Sequence, residues 1–190
     1  MIDHLEDLRA AVRAGQTFRY VLFWGHHPSP DGRITVACLS QWWACSFTLD
    51  GVTYSSAEQW MMAGKARLFG DEETLAAILA TDDPAVVKKL GRKVRGFDEA
   101  RWRSECFELV TRGNVAKFSQ NASLRGFLLG TGDAVLVEAS PFDAVWGIGL
   151  GAAIEGATDP LRWEGENLLG FALMRAREAL RAGSSSARPT

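Results

Sequence analysis

A chain of 190 residues, 47% hydrophobic and 23% charged, is long enough to bury one sizeable core without disulfide or metal staples. Its formal net charge of −2 argues against a protein held on nucleic acid mainly by phosphate contacts, and leaves room only for a local basic patch. No stretch approaches the ~18 apolar residues of a membrane span. The N-terminus has no apolar signal-peptide core, and Cys38, Cys45 and Cys106 contain no CxxC pair. A reduced cytoplasmic protein with no membrane association is therefore expected.

In chain order, Ile2, Leu5, Leu8 and Val12 recur at helical spacing before Gly15, which predicts a helix over 3–14. Phe18–Trp24 is aromatic and β-branched enough for a strand, and Gly25–Arg33 is a loop by its proline and glycine content. His26 and His27 invite a metal reading. Neighbours in an extended segment point apart, however, and no second ligand pair lies at a zinc spacing, so no metal is expected. Ile34–Leu39 reads as a strand leading into Ser40-Gln41-Trp42-Trp43. Phe47–Tyr54 reads as a hairpin, because Asp50-Gly51 suits a type I′ turn.

The hairpin feeds the most unusual stretch of the chain, Ser55–Phe69 (SSAEQWMMAGKARLF). Ser55 followed by Glu58 looks like a capping box at the start of a helix. Glu58, Met61, Met62, Lys65, Leu68 and Phe69 share one face, and the opposite face is nearly as apolar, so the helix should be buried. Buried Glu and Lys are rare unless paired or used. Seven residues at 1.5 Å rise separate the two by roughly 10 Å, too far for an i,i+4 bridge. Each needs a partner elsewhere in the fold or in a ligand.

Further helices are expected from Asp71 to Ala80, from Asp83-Pro84 to Gly91, from Asp98 to about Phe118 and over Asn121–Leu129. Lys88, Lys89, Arg92, Lys93 and Arg95 form a basic run. Its plainer account is a solvated helix face, and its alternative a phosphate-facing patch led by Arg92. Ala134–Ala139 alternates like a strand and delivers the chain to Ser140–Gly151 (SPFDAVWGIGLG), an apolar glycine-bearing loop whose amides suit an anion. Asp143 either caps a turn there or supplies the counter-charge of Lys65. A last helix covers Leu168–Arg181. The architecture expected is α+β, a single mainly helical domain around a small sheet over 1–182, with a flexible tail at 183–190.

Several pieces together resemble the NADAR/YbiA-like family over most of the chain. They are LSQWW (39–43), YSSAEQWMMAGKA (54–66), LGR (90–92), AKFSQN (116–121), LLGTGD (128–133), SPFDAVWGIGL (140–150) and NLLGFALM (167–174). The resemblance implies a YbiA-like fold and an N-glycosidase that cuts between ribose C1′ and an amino nitrogen on a base. The substrates it implies are ADP-ribosylated guanine, with transient nucleic-acid contact, or the phosphoribosyl-aminopyrimidine intermediates of riboflavin synthesis. It also implies functional roles for Glu58, Lys65, Asp143, Trp146, Gly147 and Asn167. Gln59 and the pair Gln41-Trp42 depart from the His and the Asn-aromatic of many relatives.

In the site so expected, Glu58 or Asp143 stabilises the sugar cation or activates water. Lys65 either forms a Schiff base at C1′ or neutralises substrate oxygens. Trp42 and Trp146 stack on rings beside Gln41, while Arg92 and the amides of Gly147–Gly149 hold phosphate. No cofactor is called for. The competing readings are a non-catalytic ADP-ribose or nucleotide-binding module, and a structural protein in which Glu58 is only a helix cap.

Overall fold

A computed structural model describes residues 2–185 and has the expected α+β composition. Its contacts fall into two compact units, one built from the chain up to Ser40 and from Ser123 onward, the other from Gln41–Ala122.

In the first unit β1 (Tyr20–Phe23) pairs in parallel with β4 (Val135–Glu138), in register from Tyr20↔Val135 to Phe23↔Glu138. The last ladder bond runs from the Ala139 N–H to the Phe23 carbonyl at 2.9 Å, so Trp24 and the loop after β4 leave side by side at the carboxyl ends of the two strands. Helix α7 (Leu168–Ser185) packs on β4, and Phe23, Leu136, Val137, Phe171 and Leu173 fill the core beside it. Buried Arg177 on α7 donates to Thr131 Oγ1 and to the Ala134 carbonyl, fixing the turn that enters β4. Helix α1 (Leu5–Arg13) docks through Arg9, whose guanidinium donates to the carbonyls of Pro160 and Trp163. Ala122–Gly130 forms α6, one residue from the expected bounds.

Two expectations are corrected here. Ile34–Leu39 is not a strand: Val36–Leu39 is a 3-10 turn, because the Thr35 hydroxyl accepts from the Ala37 N–H and closes the backbone locally instead of leaving it to pair. The last helix continues past Arg181 to Ser185, beyond the expected tail boundary at 183, and the remainder of that tail lies outside the described residues.

In the second unit β2 (Phe47–Leu49) and β3 (Val52–Tyr54) form the antiparallel hairpin around Asp50-Gly51. Both turn residues have positive φ, 52° and 77°, as the type I′ turn requires. The hairpin runs into α2 (Ala57–Leu68), against which α3 (Glu72–Leu79), α4 (Pro84–Gly91) and α5 (Glu99–Gln120) all pack. Every residue of α2 from Ala57 to Gly64 is buried, as its all-round apolar sequence requires.

Candidate active site

The start of α2 differs from the expected capping box by one residue. Ser56, not Ser55, is the N-cap, and its hydroxyl accepts from the Gln59 N–H at 3.2 Å. Gln59 reaches back so that its Oε1 accepts from the Ser55 N–H at 2.8 Å, while its Nε2 donates to the carbonyls of Ile78 and Thr81. Ser56 and Gln59 therefore do the capping. Glu58, at the second helical position and only 4% exposed, is not the cap. Gln59 in turn is a staple between α2 and the end of α3.

The Glu58 N–H donates to the Gln41 carbonyl at 2.9 Å, bringing two of the expected residues together. The Gln41 side chain is oriented by Asn114 on α5. Asn114 Nδ2 donates to the Val110 carbonyl at 2.9 Å and to Gln41 Oε1 at 3.0 Å. A carbonyl can only accept, so the Asn114 amide has one orientation, and Gln41 must turn its oxygen toward it and its NH₂ away. That NH₂ and Asn114 Oδ1 are buried and make no hydrogen bond among the described residues, a pattern uncommon in native interiors that calls for a specific account.

Lys65, half-buried on α2, lies with Nζ 4.1 Å from the centroid of the Phe97 ring and 5.7 Å from that of Trp102. Within its own unit the Lys65 ammonium is met by these aromatic faces. Burial pushes its amine below the ordinary lysine value. Trp42 is half-buried, with Lys88 Nζ 5.7 Å over its ring, and exposed Arg92 is the C-cap of α4. Of the basic run, Arg95 is committed elsewhere: it pairs with buried Asp71 at 2.6 Å and holds that carboxyl well below the usual range.

In the other unit Asp143, Trp146, Gly147, Gly149 and Asn167 meet in one loop system. Asp143 Oδ1 accepts from the N–H groups of Val145 (3.0 Å) and Trp146 (2.8 Å), so the carboxylate closes a turn. The expected phosphate cradle is largely closed, since the Ile148 N–H donates to the Glu138 carbonyl and the Gly149 N–H to the Asp143 carbonyl. A Cβ on Gly147 would stand 2.8 Å from the Glu138 carbonyl oxygen and 2.9 Å from that of Asp143, so this position admits glycine alone. Asn167, fully buried with φ 56°, uses both ends of its amide on β4: Oδ1 accepts from the Glu138 N–H and Nδ2 donates to the Leu136 carbonyl. Its part is to hold this loop system on the strand end.

Two residues of α5 escaped the sequence reading. Asn114 is one, and Lys117, whose side chain is fully buried, is the other. Lys117 lies near enough to Cys45 to oppose the upward push that burial gives the thiol. Their signal is visible in retrospect: Val110, Asn114 and Lys117 lie on one helical stripe, where two polar residues interrupt a core face. A separate groove of about 480 Å³, lined by Trp60, Gly64, Arg67, Arg101, Glu108 and Arg112 among others, contains none of the expected residues.

An α+β fold carrying a buried glutamate and a desolvated lysine on one helix defines the class, and sequence comparison supplies the family. The NADAR domain model matches residues 22–181, and the chain belongs to that family. It is 44% identical over 168 residues to N-glycosidase R617 of Acanthamoeba polyphaga mimivirus, covering 86% of this chain and 97% of that one. It is 33% identical over 132 residues to N-glycosidase YbiA of Escherichia coli, covering 70% and 74%. The NMR structure of the E. coli protein YbiA superposes with a TM-score of 0.73, 27% identity and 92% coverage of both chains. Riboflavin biosynthesis protein VVA0006 of Vibrio vulnificus is 32% identical over 145 residues, 75% of this chain and 35% of that longer one. No helix among the described residues is long and apolar enough to cross a membrane.

Proposed function

We propose that this chain, an N-glycosidase by family, cleaves the bond between ribose C1′ and an amino nitrogen on a base, with ADP-ribosylated guanine as its substrate. The observation that carries the reading is a buried carboxylate, Glu58, on the same helix as a lysine desolvated against two rings. In hydrolysis the C1′–N bond breaks, a water oxygen bonds to C1′, and the departing amino nitrogen takes up a proton. Glu58 or Asp143 draws the proton from that water and stabilises the cationic sugar. In the covalent branch the neutral Lys65 amine bonds to C1′ as the C1′–N bond to the base breaks, and one lysine proton passes to the departing amino nitrogen. The C1′–O4′ bond then opens, the ring oxygen takes the second proton, and water hydrolyses the resulting imine to free the sugar and the amine. Trp42 and Gln41 contact a ring and Arg92 a phosphate. The name of the V. vulnificus relative supports a second substrate, the phosphoribosyl-aminopyrimidines of riboflavin synthesis.

The deciding experiment incubates the protein with an ADP-ribosylated guanine oligonucleotide and, separately, with the aminouracil ribotide, and measures release of the base. Cleavage of the oligonucleotide is expected; cleavage of the ribotide alone moves the activity to the riboflavin intermediates, and turnover of neither sinks the reading. Lys65→Ala should lower kcat at least 100-fold if the amine bonds C1′, on the order of the 10²–10⁴ that positioned catalytic groups supply. Borohydride should then trap a sugar on the wild-type protein and not on the variant. Binding of ADP-ribose without any cleavage would favour a non-catalytic nucleotide reader instead.

A further inference from the structure

Of the two rings that meet Lys65, the nearer is not a core residue. The centroid of Phe97 lies 4.1 Å from Nζ, against 5.7 Å for Trp102, yet Phe97 is itself 45% exposed. Its place is nonetheless fixed from three directions. Before it, the Arg95 N–H and guanidinium donate to the Asp71 carboxylate at 2.9 and 2.6 Å, which ties the chain to the N-cap of α3. After it, Asp98 caps α5 by accepting from the Arg101 N–H at 2.7 Å. Between these anchors Gly96 takes a φ of 69°, a left-handed turn open to glycine. The Phe97 ring then meets Phe69, the C-cap of α2, edge-on, with centroids 5.4 Å apart and planes at 64°. An apolar ring nearly half in water is thus held from all these sides against one cation.

A ring set against an ammonium acts in two opposed ways. Its face attracts the charge. Its bulk keeps water from one side of the amine and so penalises the charge. The Lys65 amine lies below the ordinary lysine value with burial as the cause, so exclusion of water is the larger effect. The charged groups of the surrounding elements have other contacts. Asp71 and Glu73, at the start of α3, pair with Arg95, and Asp98 holds the start of α5. Arg101 of α5 lies 5.8 Å from the Phe69 centroid, Arg67 of α2 lies 5.8 Å from that of Tyr54, and Lys88 of α4 lies over Trp42. We infer that Phe97 is a positioning residue for Lys65, holding the amine in one place and shielding it from water on one side so that it can act as a nucleophile. This rests on the glycosidase reading above for its consequence in catalysis, but the shielding has a test of its own.

In the full-length protein, acetylation of Lys65 by trace acetic anhydride is followed by peptide mass spectrometry from pH 7 to about 11, which reads the fraction of neutral amine directly. Phe97→Ala should move the midpoint up toward the ordinary lysine value of 10.5. At pH 8 the labelling rate, as a share of its plateau, should then fall at least about threefold. Phe97→Leu keeps an apolar cover without a π-face, and its share should stay within about twofold of the wild type. A midpoint unmoved or lowered by the alanine, or a leucine variant that behaves as the alanine does, overturns the inference. A purely structural role would lower the melting temperature of Phe97→Ala and leave the midpoint in place. On the ADP-ribosylated guanine oligonucleotide the basic limb of kcat should move in the same direction as the labelling midpoint. An unmoved kcat limb beside a moved midpoint also overturns the inference, since the shielding would then serve no step. Should the wild type turn over no substrate, the glycosidase reading falls while the labelling midpoint still decides whether Phe97 shields the amine.

Discussion

At the scale of single residues, Lys65 is the group whose chemistry the surroundings change most legibly. Its ammonium lies against the rings of Phe97 and Trp102, and burial favours the neutral amine. The folded state therefore holds this proton less tightly than the unfolded chain does. Below the folded pKa the buried charge costs stability, and the cost fades as pH climbs from that value toward the ordinary lysine value. The same shift governs the covalent branch, because only the neutral amine can bond to C1′. The rate should rise with pH through a midpoint below the ordinary lysine value of 10.5. Initial rates between pH 6 and about 10.5 check this, and a rate with no basic limb would leave Lys65 as a charged binder of substrate oxygens. The anomaly of Lys65 was readable in the sequence as a cation on a buried helix. Its solution was not, because Phe97 and Trp102 reach it only through the fold. Asn114 was hidden for the same reason: its meaning comes from Gln41, far away in sequence, and from a carbonyl that fixes which way its amide points.

At the scale of elements, local signals placed nearly every helix and both hairpin strands, since caps, prolines and the Asp-Gly turn act through immediate neighbours. The misses were also local. At α2 two adjacent serines offered the same cap, and tertiary contact of Gln59 with α3 chose the second. That single-residue shift puts Gln59, not Glu58, at the third helical position. Gly113 shows the opposite case, in which an apparent weakness of α5 is a packing requirement. A Cβ there would come within 2.3 Å of Trp60 Cδ1, on an indole anchored by its hydrogen bond to the Leu109 carbonyl at 2.8 Å. Gly113→Ala gains up to about 1 kcal/mol of helix propensity and meets an overpacking cost of about 1–3 kcal/mol. A net loss of about 1–2 kcal/mol is expected in urea unfolding, and a more stable variant would mean that the α2–α5 contact gives way without strain.

At the scale of the whole molecule, the expected functional residues divide between the two units. Gln41, Trp42, Glu58, Lys65 and Arg92 belong to one, and Asp143, Trp146, Gly147, Gly149 and Asn167 to the other. The family model runs through both. The charge is similarly distributed rather than massed, with 21 Lys and Arg against 23 Asp and Glu. Of the basic run, Arg95 is held by Asp71, while Lys88 lies against Trp42 and Lys89, Arg92 and Lys93 are the cations left facing outward. An ADP-ribosylated oligonucleotide, if it lies along this run, would have about three or four cations to meet its phosphates. Each neutralised phosphate on a single strand contributes about −0.7 to the slope of log affinity against log salt. A slope between about −2 and −3 is expected for the ADP-ribosylated oligonucleotide if the run faces phosphate, and Arg92→Ala should reduce it by about 0.7. A slope near zero would return the run to the plainer account of a solvated helix face. One much steeper than −3 would require a phosphate-binding surface that a net charge of −2 gives no reason to expect.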